Sequence, residues 1–256
     1  KKLTDLLLTA AFLLAIEGNA VAAVIADAAQ RGDFDRVGRF LQEGNDVNEP
    51  QVDGTTALHW AVQRNDTAMV NLLLSQGAMS DVSNRTNARP LQLAAVNGNA
   101  EILTLLLAAG ADPNASQTVS GDTALMIAAR TGVPEAVNAL LDAGAEINVR
   151  ETWGGTTALM WAVNENHLAV ISLLIEAGAD VDAVSRYIAP DNGRGFEGSA
   201  LRARSPEEIG PVQDASGEFT ALVFAAREGN LDSVKLLVAA GADINAISAD
   251  GKDALG

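Results

Sequence analysis

Apolar positions along this chain repeat at a long, nearly constant interval. Leu58, Leu91, Leu125, Leu159, Leu222 and Leu255, each in an A-L or P-L setting, follow one another at steps of 33, 34, 34, 63 and 33 residues. Three and four residues after each leucine comes a small apolar pair, such as Ala61/Val62, Ala94/Ala95 or Ala128/Ala129. That i, i+3, i+4 spacing predicts one apolar stripe on a short helix, with side chains small enough for close helix approach. A polar break follows, and Asp66, Asn99 and Asn230 are placed to cap a second helix. Pro134 takes the first helical position of one such helix, where a missing N–H costs nothing. The second helices end in pairs such as Leu73/Leu74 and Leu140/Leu141, each followed by a glycine suited to a left-handed C-cap. Those glycines (Gly44, Gly77, Gly110, Gly144, Gly178, Gly241) keep the same period. Beyond them Asn114, Asn148, Asp182 and Asn245 predict turns reaching toward the next unit.

Stretches such as DGTTALHWAVQRNDTAMVNLLLSQGA and SGEFTALVFAAREGNLDSVKLLVAAGADINA resemble ankyrin repeats, with alanine where that family's T-P-L-H-x-A pattern has proline. The resemblance implies an all-α solenoid of about six stacked helix pairs, joined by finger turns, at Ile25, Leu58, Leu91, Leu125, Leu159 and Leu222. Residues 24–185 hold repeats 1–5 and residues 218–249 repeat 6, while 250–256 begin a truncated seventh, so the chain is expected to be a fragment. Of the family's recurrent histidine only His59 is present; Gln92, Met126, Met160 and Val223 occupy its place elsewhere.

The long step of 63 locates an insertion, residues 186–217, containing G-x-G-x-x-G at Gly193, Gly195 and Gly198. A dinucleotide fingerprint requires a preceding buried strand and a following helix, and neither is predicted here, so the match is read as accidental. The insertion is then an elaborated finger, either simply solvated or making partner contacts through Arg194, Arg202 and Arg204.

Composition narrows the chemistry. With 17 basic and 33 acidic residues the formal charge is -16, which disfavours nucleic acid and anionic membranes as partners. There are no cysteines, and the only histidines, His59 and His167, lie in different repeats without metal-ligand spacing. No nucleophile sits in a G-x-S-x-G setting, so no catalytic residue, metal or cofactor is assigned. Trp60, Trp161 and Phe224 share one helical register position and are read as packing residues.

The N-terminus places Lys1-Lys2 before an apolar run from Leu6 to Ile16 and an A-x-A site at Ala20–Ala22. That layout predicts a signal peptide over 1–22 and a periplasmic or secreted product without a further membrane span, as in an exported, bacterial-type member of the family. An amphipathic capping helix is the alternative for the same residues.

The resemblance implies a non-catalytic scaffold, expected to be monomeric, that binds a protein through a concave face of fingers and first helices. Its matching positions here are Gln63, Arg64, Asn97, Arg130, Asn164, Glu165, Arg227 and Glu228. To these are added Trp153 and Arg150 on the finger before the fifth repeat. Flanked by Gly154-Gly155, Trp153 is expected to ride on an adaptable backbone, as a contact residue or as a plug over its own finger. The rival reading is a recognition segment of a larger enzyme or envelope protein.

Overall fold

A computed structural model describes residues 23–116, 121–186 and 218–248, and every regular element among them is helical. The helices come in pairs: α1 (Val24–Arg31) and α2 (Phe34–Gln42), α3 (Ala57–Gln63) and α4 (Thr67–Ser75), α5 (Pro90–Asn97) and α6 (Ala100–Ala108). Then follow α7 (Ala124–Thr131) and α8 (Pro134–Asp142), α9 (Ala158–Asn164) and α10 (Leu168–Glu176), α11 (Ala221–Arg227) and α12 (Leu231–Ala239). The chain divides into two compact units, Lys1–Leu93 with Ala108–Ala111, and Ala94–Leu107 with Asp112–Gly256.

Three first helices of the second unit start at a capping threonine. Thr123, Thr157 and Thr220 accept from the amides of Met126, Met160 and Val223 through their hydroxyls, at 3.3–3.4 Å. The second helices are capped by Asp66, which accepts from Met69 N, and by Asn99, which accepts from Ile102 N, both at 3.0 Å. Pro134 occupies the first turn of α8 as expected. Asn230 departs from expectation: it makes no cap bond, and its amide Nδ2 donates to the Val163 carbonyl at 3.4 Å. The side chain is drawn off because a buried carbonyl end of α9 faces it. At the other helix ends Gly144 and Gly178 take φ of 86° and 93°, and their amides turn back to Leu141 O and Ile175 O.

In the first unit α1 packs on α3, with α2 and α4 each folded back on its own partner. Ile25, Ala28, Ala29, Leu58, Ala61 and Val62 are all buried, so the stripe read from the spacing is the seam between these helices. In the second unit α7, α9 and α11 form one row, and α8, α10 and α12 another. Leu125, Leu159 and Leu222 are 1% exposed and Leu140, Leu174 and Leu237 fully buried. Truncating any of these to alanine should cost about 2–5 kcal/mol.

One recurrent side-chain position ties neighbouring repeats together within each unit. Asn48 donates to Gly77 O and accepts from Met79 N; Asn114 does the same with Gly144 O and Glu146 N, and Asn148 with Gly178 O and Asp180 N. Across the insertion Asp182 takes this place and accepts from Asp243 N at 2.8 Å. The stems of the insertion also meet: Ser185 N donates to Phe219 O, and Phe219 N to Ser185 Oγ, both at 2.9 Å. The repeat order therefore closes over the insertion, while the G-x-G-x-x-G and Arg194, Arg202 and Arg204 lie outside the described residues, as do 1–22 and 250–256.

Candidate functional site

The fingers are built by short-range hydrogen bonds that leave their tips in solvent. In the first unit Gln51 N donates to Thr55 O and Asn84 N to Ala88 O, and Arg85 N joins the two fingers by donating to Asp53 O at 2.8 Å. The Asn84 side-chain oxygen accepts from Thr86 N, Thr86 Oγ1 and Ala88 N, which makes it the hub of its finger. Asp53 accepts from Thr55 N at 2.9 Å, and this bond holds its carboxyl below the usual range.

Glu151 is the corresponding hub in the second unit. It is 6% exposed, and its carboxylate accepts from the amides of Trp153, Gly154 and Thr156 and from Thr156 Oγ1. From the next finger Arg186 N donates back to Gly154 O, while Gly154 and Gly155 are themselves buried. This corrects the expectation of an adaptable backbone: the glycines let the chain wrap closely around a carboxylate, and the amides are tied down. The indole of Trp153 stands outside that knot, 60% exposed, which disfavours its role as a plug.

The first-helix ends bring forward most of the residues read from the sequence. In the first unit Gln63 and Arg64 are exposed; Arg64 donates to Gln30 O and lies flat against Gly32, where a Cβ would stand 2.5 Å from its guanidinium. In the second unit Asn97, Arg130, Asn164, Glu165, Arg227 and Glu228 are all exposed, as is Val96. Arg130 sits over the ring of Trp161 at 5.3 Å, and Arg227 over Phe219 at 4.6 Å, both within cation–π range. Phe219 in turn meets Phe224 edge to face at 5.5 Å. Arg150 is exposed too, but its guanidinium also donates to Val184 O, so part of it braces the neighbouring finger. Trp161 and Phe224 are half-buried; Trp161 carries Arg130 on its outer face, while Phe224 supports the Phe219 ring under Arg227. The sequence placed Trp161 and Phe224 in register but could not show that Arg130 lies on Trp161 or that Arg227 lies on Phe219 outside that register.

His59 is buried and joins two repeats. Thr56 N donates to its Nδ1 at 3.2 Å, so the proton sits on Nε2 and goes to Ala88 O at 3.1 Å. Burial lowers its pKa, because the charged ring would lose water. In the second unit buried Met126, Met160 and Val223 fill this place without a hydrogen bond of this kind. There His167 bridges repeats instead, its Nε2 donating to Arg130 O at 3.0 Å over Gly132.

One open hollow of about 430 Å³ lies in the first unit, lined by Ala23, Asp27, Gln51, Val52, Asp53 and Arg85. Its polar groups pair with one another: Trp60 Nε1 donates to Gln51 Oε1, and Gln51 Nε2 to Asp27 Oδ1. Nothing in its lining pairs a nucleophile with a base.

Comparison with known proteins agrees with this architecture. The family description "Ankyrin repeats (3 copies)" matches residues 25–117 and 111–185, and "Ankyrin repeat" matches 218–249. Human BCL-6 corepressor-like protein 1 is 41% identical over 113 residues, 44% of this chain and 6% of that protein. The fruit-fly palmitoyltransferase Hip14 is 40% identical over 90 residues, 35% of this chain and 14% of that protein. Thus the chain spans only a small part of these relatives. The crystal structure of the human ASB11 ankyrin repeat domain superposes with a TM-score of 0.70, over 90% of this chain and 89% of that one, at 24% identity.

Proposed function

Because this chain belongs to the ankyrin-repeat family, whose repeats generally mediate protein–protein interaction, we propose that it is a non-catalytic scaffold. In this reading it holds a protein partner through its fingers and first-helix ends. The observation that carries the reading is the finger of Glu151: a buried, fully bonded hub that presents a large exposed indole. Ordering that indole costs little on binding, since its backbone is already fixed, and aromatic and arginine side chains dominate binding hot spots. Arg130, Arg150 and Arg227 on the same unit supply the second favoured residue type.

The test is Trp153→Ala in the full chain, read both by melting and by affinity for a captured partner. Binding should weaken by about 2 kcal/mol with the melting temperature nearly unchanged. A stability loss of about 1 kcal/mol with unchanged affinity would instead make Trp153 a structural plug.

A second reading, in which this stretch is the recognition segment of a larger protein, is favoured by the small share of each relative that it spans. Export follows as a separate proposal from the charged, apolar and small-residue order of residues 1–22. No helix among the described residues is long and apolar enough to cross a membrane. Mass spectrometry of the native protein should find a new N-terminus near residues 20–23; an intact Lys1 end on a cytosolic protein would refute export.

A further inference from the structure

Charge is distributed unevenly within the second unit. On its second helices and the turns after them, Lys235 is the single cation among the described residues and is paired with Asp232 at 2.8 Å. Glu101, Glu135, Asp142, Glu146, Glu176 and Asp243 share those positions. The fingers and first helices carry Arg130, Arg150, Arg186 and Arg227 against Asp122, Glu151, Glu165, Glu218 and Glu228. Glu151 is buried and spent on its own finger, so among the described residues the remaining charge on this side is balanced, within a chain of net charge -16.

Two of those arginines are pre-positioned. Arg130 lies over Trp161 and Arg227 over Phe219, at 5.3 and 4.6 Å from the ring centroids, and a guanidinium held against a ring still has an N–H edge to offer a further partner. That edge matches a carboxylate in two parallel hydrogen bonds. The helices that bear them, α7 and α11, flank α9 in one row. At about 8–10 Å between neighbouring axes, the two stacks stand roughly 16–20 Å apart. An extended chain covers that distance in about five or six residues.

Resting on the proposed binding face, we propose that the second unit takes an acidic, extended protein segment, with Arg130 on Trp161 and Arg227 on Phe219 as its two anchors. The acidic far side does not prevent this. It lies a helix layer away, about 8–10 Å, comparable to the screening length of about 8 Å at physiological salt. With the charge of the face balanced overall, it is the local donors of Arg130 and Arg227 that select a carboxylate, while the distant carboxylates weaken binding as salt is removed.

The probe is a fluorescein-labelled Gly/Ser peptide of about twelve residues with two Glu-Glu pairs about six residues apart, titrated onto the full chain at physiological salt. A peptide with lysine in place of glutamate, and a plain Gly/Ser peptide, are the comparisons. The acidic peptide should bind, and Arg130→Glu and Arg227→Glu should each weaken it about tenfold without changing helicity. Arg130→Lys, which keeps the charge but loses the planar edge, should weaken it less than Arg130→Glu. Preference for the lysine peptide, lost on Glu165→Lys or Glu228→Lys, would overturn the acidic partner while leaving the face in place. Peptide binding indifferent to all of these substitutions would count against the face itself.

Discussion

The fingers centred on Asn84 and Glu151 solve the same structural problem with different hubs. In both, one side chain gathers the amides two residues on and at the far stem: Thr86 and Ala88 in the first, Trp153 and Thr156 in the second. The Glu151 finger is one residue longer, and its carboxylate reaches a further amide, that of Gly154. What differs most is the cargo. Two residues after the hub the first finger exposes a threonine and the second a tryptophan. The mode of closure is shared while the tip differs, as the proposed presenting role requires, and in neither finger do the hub's bonds depend on the tip side chain being an indole.

The largest effect should come from the hub that carries most bonds. Glu151→Ala leaves three finger amides without their acceptor and should cost about 3 kcal/mol in chemical denaturation, while Asn84→Ala should cost about 1–2 kcal/mol. Glu151→Gln retains an acceptor oxygen and should fall near the Asn84 value. Equal losses at the two alanine variants would erase the distinction between the fingers.

The two units should also respond differently to acid. His59 is neutral in the fold, with its pKa lowered by burial from an ordinary value of 6.5. The unfolded chain then binds more protons than the folded one just below pH 6.5, so stability is present above that value and declines as pH falls through it. Melts at pH 7.5 and 5.5 should show wild type losing more stability than His59→Gln. An equal loss in both would remove His59 as the source.

The smallest effect is expected at the insertion. Replacing 188–216 by a short finger like that at 148–155 should leave helicity and cooperativity nearly unchanged, because Ser185–Phe219 and Asp182–Asp243 already carry the register across it. Loss of the cooperative melt would show that the insertion packs as a structural element.

Much of this architecture was legible because it is local. Helix spacing, the caps Asp66 and Asn99 and the C-terminal glycines are short-range patterns, and Leu58, Leu125 and Leu159 fell into the core they predicted. The hubs were not legible. Glu151 reads as one more acid in an acidic chain, and the neighbouring glycines suggested mobility, because burial of its carboxylate depends on the finger folding around it. Asn230 looked like a cap but reaches a carbonyl 67 positions earlier. The arginine–ring contacts join Arg130 with Trp161 on another repeat and Arg227 with Phe219, which precedes the helix that bears the arginine, so neither follows from the spacing within one helix.

The central claim, that partners are held by the presented tips rather than the acidic second helices, can be read by position. A photo-crosslinking residue placed at Thr152, beside the exposed indole, or at Glu176, exposed at the end of α10, would report which side a bound protein covers. Crosslinks to one partner from Thr152, with none from Glu176, are the predicted result. The same partner crosslinking from Glu176 and not from Thr152 would contradict the account.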